Sequence, residues 1–216
     1  MPASTESSGT ARPASPAAYA LLGLLALRSW TGYELTEQAH RSLRFLWPTS
    51  EGHLYREQKR LVALGWAKAT AEANGRRKRT RYSITTKGRR ALKDWLATEP
   101  ESLGFEVEGI VRTFFGDLGT VQSLVSSMHT TAGQARSRLD ELLDFVDDYL
   151  ETGGPFPERL HVVALAVEVL AEQLSSLEAF FTTSAEEVGS WSSSASRPLD
   201  ADTRKRLERI RDKHRR

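Results

Sequence analysis

Cysteine is absent from the 216-residue chain. That removes disulfides, thiolate nucleophiles and cysteine-ligated metals, and leaves metal binding to histidine and carboxylates. His40, His53, His129, His161 and His214 are widely scattered, and no H-E-x-x-H occurs, so no metal or other cofactor is expected. A G-x-S-x-G elbow, a P-loop and a dinucleotide fingerprint are missing as well, which argues against an enzyme. The chain also lacks an apolar run of 18 residues, so no membrane span is expected. Its longest apolar stretch, Ala17 to Leu27, has the length of a signal-peptide core. Only Arg12 precedes it as a basic residue, and no A-x-A cleavage site follows. The expected location is the cytoplasm.

What is present is charge, unevenly distributed. The formal net charge is +2. Residues 1–99 hold 17 Lys/Arg against 8 Asp/Glu, a net of +9. Residues 100–196 hold 4 against 16, a net of −12, and residues 197–216 hold 9 against 4, a net of +5. A basic front can neutralise phosphates, whereas an acidic middle repels them, so one chain carries two jobs.

The local patterns agree with that division. Residues 1–16 are rich in Ser, Thr, Ala and Pro and read as a disordered extension. Ala18 to Leu27 reads as a mostly buried helix, with Gly23 permitting close packing. Thr31-Gly-Tyr-Glu34 has capping-box spacing and opens a second helix with Leu35, Ala39 and Leu43 on one stripe. After a break at Trp47-Pro48-Thr49, Ser50 caps a third helix that runs to about Leu64, with Gly65 as its stop. Leu54, Leu61 and Val62 face its core side, whereas His53, Arg56 and Arg60, with Lys59 beside them, form another face. Glu51 and Glu57 are expected to face solvent, although a carboxylate can also accept from cytosine. Trp66 to Ala73 and Thr80 to Thr85 read as a two-stranded hairpin around Asn74-Gly75, with Arg76, Arg77, Lys78 and Arg79 at its tip. Thr85 or Thr86 caps a fourth helix containing Trp95, and Pro100 ends it.

The second half is helical. Val121, Val125, Met128, Ala132, Ala135, Leu139, Leu142, Val146 and Tyr149 alternate spacings of four and three. Beyond Gly153-Gly154-Pro155, Leu160, Val163, Val167, Leu170, Leu174, Leu177 and Phe181 continue the same repeat. Two seams joined by a tight turn predict an antiparallel helical hairpin. One seam has no intrachain partner to spare, so Val163, Val167, Leu170, Leu174 and Leu177 are assigned to a homodimer interface. Residues 190–216 read as a Ser-rich linker and basic tail, dispensable for folding, with at most a short helix around Leu207 and Ile210. The expected fold is mainly α. A winged helix-turn-helix DNA-binding domain at 17–99 precedes a coiled-coil-like helical dimerisation domain at 100–189.

Three helices followed by a basic hairpin suit duplex DNA. The third helix fits the major groove, where Ser50, His53, Tyr55, Arg56, Lys59 and Arg60 would meet base edges or phosphates. The hairpin would follow the backbone or a minor groove. Tyr55 serves equally well as a phosphate contact or as a ring closing the rim of the core, and the hairpin tip taken alone could be a solvated turn.

Several segments resemble one family. Ala18-Tyr-Ala-Leu-Leu-Gly-Leu-Leu, Thr31-Gly-Tyr-Glu-Leu, Leu54-Tyr55, Lys59-Arg-Leu, Leu64-Gly-Trp and Tyr82-Ser-Ile-Thr-Thr-Lys-Gly-Arg resemble, in order and spacing, the N-terminal domain of PadR regulators. The resemblance covers about residues 17–97. It implies a bacterial homodimeric repressor that binds a palindromic operator, released in some members by a small-molecule effector. It also places Trp95 where some relatives stack an aromatic ligand, against the plainer reading of a core or interface tryptophan. The long N-terminal extension and the basic tail depart from the pattern. The rival class is a winged-helix module that binds proteins rather than DNA, which would want an apolar or acidic third helix instead of Arg56, Lys59 and Arg60.

Overall fold

A computed structural model describes residues 14–45, 50–74, 77–100 and 106–215. The chain divides into two compact units, Met1–Leu103 and Gly104–Arg216.

The first unit is built around α1 (Pro16–Leu27). The Ser15 hydroxyl accepts from the Ala18 amide at 3.2 Å, and Pro16 occupies a first-turn position that needs no donor. Ala18, Leu21, Leu22, Leu24 and Leu25 are all buried, because α1 packs against α2 (Gly32–Leu43), α3 (Glu51–Ala63) and α4 (Thr86–Ala97). Gly23 faces open space and serves no close packing, contrary to the sequence expectation. Of the expected disordered extension, residues 1–13 lie outside the described residues, and Ser15 and Pro16 belong to the start of α1. The Trp47-Pro48-Thr49 break also lies outside them.

The hairpin is β2 (Ala67–Asn74) and β3 (Arg77–Ile84), antiparallel, with Ala67 opposite Ile84 and Asn74 opposite Arg77. Asn74 is thus a strand residue rather than a turn residue, and Arg77, Lys78 and Arg79 lie within β3 rather than at a tip. A third strand, β1 (Trp30–Thr31), pairs with β3, giving the order β1-β3-β2. The sequence pattern predicts two strands only.

Gly65 ends the α3 segment at φ +70°, a conformation that favours glycine. Beyond the hairpin, Thr85 caps α4, accepting from the Gly88 amide at 3.0 Å and donating to the Gly65 carbonyl at 2.7 Å. Gly88 lies so close to the previous connection that a Cβ would stand 2.1 Å from the Trp66 carbonyl oxygen. The obstacle is backbone, which cannot rotate away. Gly88→Ala should therefore lower the stability of this unit by about 3 kcal/mol, read from urea unfolding. A loss below about 1 kcal/mol would show that α4 can slide off Trp66 without penalty.

The second unit is a helical hairpin with additions. α6 (Val121–Thr152) and α7 (Leu160–Gly189) pack together, and α6 ends at Gly153 in the left-handed conformation, φ +74°. Leu124, Met128 and Ala132 of α6 share a core with Phe181, Ala185 and Val188 of α7, so the start of one helix meets the end of the other. The pairing is antiparallel, as the two seams require. Further along α6, Ala135, Leu139, Leu142 and Tyr149 are buried too. A short α5 (Glu108–Phe114), unexpected from the sequence, lies on α6. The expected basic tail is not simply a linker: α8 (Ala201–His214) is a 14-residue helix that buries none of its residues.

One helical segment, Pro157–Gly189, is long and apolar enough by length and composition to cross a membrane, with mean hydropathy 1.4 in its best window. This departs from the expectation drawn from uninterrupted apolar runs, because Glu168 and Glu172 break the run without lowering the average much. The partner helix argues against a lipid setting. α6 brings exposed Asp140, Glu141, Asp144, Asp147 and Glu151 into the same hairpin, where hydrocarbon would penalise each carboxylate by several kcal/mol.

Candidate nucleic-acid interface

The geometry of the interface begins at the N-cap of α2. Thr31 and Glu34 form a reciprocal capping box. The Thr31 amide donates to Glu34 Oε2 at 2.8 Å, and the Glu34 amide donates to Thr31 Oγ1 at 3.3 Å. The hydrogen bond from the Thr31 backbone holds the Glu34 carboxyl below the usual glutamate range. Thr31 also belongs to β1, opposite Arg81 of β3, so the cap of α2 is in fixed register with the hairpin. Trp30, buried beside it, donates its indole N–H to the Leu24 carbonyl at 2.9 Å, which ties the same point to α1.

α3 is positioned by a residue that sequence reasoning passed over. Gln58 is fully buried, and its amide nitrogen donates to the Gly32 carbonyl at 3.1 Å and to Thr36 Oγ1 at 2.9 Å. Thr36 in turn donates to the Gly32 carbonyl. These bonds fasten α3 across the first turn of α2, and Leu54 and Leu61 bury the same face. Gly32 makes the approach possible, since a Cβ there would sit 3.1 Å from Gln58 Oε1 and 3.3 Å from the Tyr82 ring.

Glu57 corrects a second expectation. Instead of facing solvent it is 6% exposed. His53 Nε2 stands 3.9 Å from its carboxylate and Arg60 Nη1 stands 3.6 Å away, one turn on either side. His53 and Arg60 are half-buried and gathered around Glu57, so they are not equivalent to the outward cations. Tyr55, Arg56 and Lys59 are exposed, and Arg56 and Lys59 make no ion pair among the described residues. Ser50 is exposed and spends its hydroxyl on the cap, accepting from the His53 amide at 3.4 Å.

On the hairpin, Arg77 and Lys78 are backbone-paired with Asn74 and Ala73, and Arg76 lies outside the described residues. Arg79 is exposed and makes no ion pair among the described residues. Arg81 is committed elsewhere: its Nε donates to Glu72 Oε1, which raises its already high pKa, and Nη1 donates to the Ser29 carbonyl at 3.3 Å. Between α2, α3 and β3 runs a groove of about 810 Å³ lined in part by Tyr33, Tyr55, Tyr82, Gly32 and Arg79. Tyr33 is hydrogen-bonded to Glu37, which raises its phenol above the ordinary range and keeps it protonated. The groove is edged by the phenols of Tyr33, Tyr55 and Tyr82, by the Arg79 cation and by the Glu34 carboxylate, which is already engaged in the α2 cap, and it lies beside the exposed face of α3.

Trp95, at the other end of this unit, stacks on Tyr19 with ring centroids 4.6 Å apart and planes 6° from parallel. Tyr19 also meets Trp66 at 5.4 Å. Trp95 is therefore an aromatic of the packed rim that keeps 38% of its surface exposed.

In the second unit, Val163, Val167, Leu170, Leu174 and Leu177 are half-buried. Leu177 packs on the core shared with α6, and the others continue its stripe, so this seam faces the intrachain partner. The more exposed apolar stripe of α7 is the adjacent one, with Val162, Leu165, Val169 and Phe180.

Residues 21–94 match the model of the transcriptional regulator PadR-like family, a family of regulators rather than enzymes. The negative transcriptional regulator PadR of Bacillus subtilis is 30% identical over 79 residues, which is 36% of this chain and 43% of that protein. The sequence match thus spans less than half the length of that relative. Its crystal structure in complex with operator DNA resembles this chain with a TM-score of 0.62 at 22% identity, over 77% of this chain and 97% of that one. Its crystal structure with p-coumaric acid gives 0.56 at 21% identity, over 78% and 97%. The virulence activator AphA of Vibrio cholerae gives 0.65 at 17% identity, over 80% and 98%. These likenesses establish a winged-helix fold followed by C-terminal helices.

Proposed function

We propose that this chain, whose residues 21–94 form a PadR-like transcriptional-regulator domain, represses transcription as a homodimer bound to a palindromic operator. The observation that carries the reading is the outward face of α3. Arg56 and Lys59 project there without ion-pair partners among the described residues, beside an antiparallel hairpin that carries Arg79. Unpaired guanidinium and ammonium groups on one exposed helical face suit base edges and phosphates. Ser50, His53, Tyr55 and Arg60 flank that face in this reading, with Arg76, Arg77 and Lys78 in the wing. His53 and Arg60 act partly through Glu57, which limits how far they reach. The B. subtilis relative described with operator DNA supports the assignment by similarity of domain.

The helical unit supplies the dimer. Leu165 and Val169 are 67% and 53% exposed on one stripe of α7, and α5 adds exposed Phe114 and Phe115, apolar side chains that a second copy would cover. A small-molecule effector, in this reading an aromatic acid, would stack near Trp95. The support is the exposed remainder of that ring beyond its stack on Tyr19, together with the p-coumaric acid bound by the relative.

Selection of bound duplexes from a random-sequence pool tests the reading. Two inverted half-sites about one helical turn apart, centre to centre, are expected. Enrichment of a single unrepeated site, or none, would refute the symmetric operator.

A further inference from the structure

Among the described residues of the acidic unit, α8 is the strongly basic element, and it is a formed helix that buries none of its side chains. Asp200 caps it, accepting from the Thr203 amide at 2.7 Å. Its base is tethered: Arg206 is paired with Glu187 at the end of α7, and Ser194 in the preceding connection donates to the Gly119 carbonyl at 2.9 Å. Leu207 and Ile210, three apart on one side, are both more than half exposed. Arg204 and Lys213 flank that ridge and make no ion pair among the described residues. An apolar ridge between cations wants a surface with the inverse pattern.

The same unit displays that pattern on the second half of α6. Leu143 and Leu150, two turns apart, are exposed there, and Asp144, Asp147 and Glu151 rise beside them with no ion pair among the described residues. The two surfaces do not meet within one chain. Glu187 neighbours Val188, which packs at the Leu124 end of α6. From Leu124 to Asp144 the helix rises about 30 Å, whereas α8 extends only about 12 Å beyond Arg206.

We propose that α8 clasps the acidic outer face of α6 in a second copy of this chain. Leu207 and Ile210 lie along Leu143 and Leu150, with Arg204 and Lys213 against the aspartates. A twofold axis across the hairpin brings each α8 to the far end of its partner's α6, so the contact forms twice. Duplex DNA would satisfy the cations of α8 but would leave its apolar ridge in water, which is why a second copy fits better. The proposal rests on the homodimer inferred above.

The absence of cysteine makes the test direct. Leu207→Cys and Leu143→Cys are introduced into separate chains, which are mixed, allowed to exchange and treated with a short bismaleimide. α8 buries nothing, so the first variant should fold as the parent does. A covalent dimer is expected from this mixture, and none when Leu207→Cys is mixed with Ser126→Cys in the first half of α6. Reversing Arg204 and Lys213 to Glu should raise the dimer dissociation constant about tenfold, and adding Asp144→Lys and Asp147→Lys should restore it. A dimer by sedimentation that gives no cross-link overturns the clasp and leaves the homodimer standing. Monomers throughout overturn both. If the reversal of α8 spares the dimer but flattens the salt dependence of binding to random-sequence duplex DNA, α8 is a DNA contact and the clasp is wrong.

Discussion

Arg56→Ala should bind the operator about tenfold to a hundredfold more weakly than the parent while holding random duplex DNA almost as well. The range corresponds to about 1–3 kcal/mol, the worth of a well-placed base contact. The asymmetry follows from where the side chain stands. Arg56 projects from the exposed face of α3 and has no intrachain ion pair among the described residues, so its removal leaves no buried partner behind. Arg60 differs, because it lies 3.6 Å from the buried Glu57 carboxylate. Arg60→Ala uncovers that carboxylate, whose Oε2 already lacks a hydrogen-bond partner, and should cost folding stability as well as affinity. Arg79→Ala, on the hairpin, should weaken operator and random DNA alike and reduce the salt slope by about one unit, since one phosphate contact is lost. Titrations of the three variants against both DNAs over a salt series separate these outcomes. If Arg56→Ala weakened both DNAs equally, α3 would clamp the duplex rather than read it.

The features legible in the sequence are those with a local chemical signature. The capping box at Thr31 and Glu34, the Ser50 cap, the Gly65 stop and the two seams joined at Gly153 each announce themselves within a turn or two. The misreadings have physical causes. The charge of Glu57 points it to solvent, yet it lies between Leu54 and Leu61 on the helical period, and with both of those buried the positions 57 and 58 are carried inward. The same spacing would have found Gln58. β1 is two residues long and exists only because β3 lies beside it, so no window of sequence contains it. The hairpin at Asn74-Gly75 was legible, but its register is set by Ala67 opposite Ile84 at the base of the strands, which shifts Asn74 and Arg77 into the ladder. α5 has seven residues, too few to show a period, and it docks through Gly109, where a Cβ would stand 2.2 Å from Thr131 Oγ1. α8 lacks the buried stripe by which helices are usually recognised, and its helix follows from the Asp200 cap and from charges spaced around it.

Leu165→Asp with Val169→Asp should turn the protein into a monomer and cost operator affinity at least a hundredfold. The sites matter as much as the substitution. Leu170 and Leu174, the seam positions suggested by heptad spacing, are half-buried on the stripe that runs into Leu177 and Phe181 and faces α6. Aspartate there would damage the intrachain hairpin, and lost dimerisation would be indistinguishable from partial unfolding. Leu165 and Val169 lie one step around the helix, exposed in the single chain, so charge is tolerated there until a second copy tries to cover it. Covering a carboxylate without a partner costs several kcal/mol, and twofold symmetry doubles the number of such groups. The loss of operator affinity follows from geometry rather than from any change in α3. A dimer binds its second half-site at the effective concentration set by the first, worth about a hundredfold to ten-thousandfold. A monomer forfeits that gain and keeps its affinity for one half-site. Sedimentation and operator titration, with helicity by circular dichroism as a control, distinguish the cases. A variant that stays dimeric with parental helicity would move the interface off this stripe of α7. A folded monomer that still held the whole operator tightly would show that two half-sites are not read together.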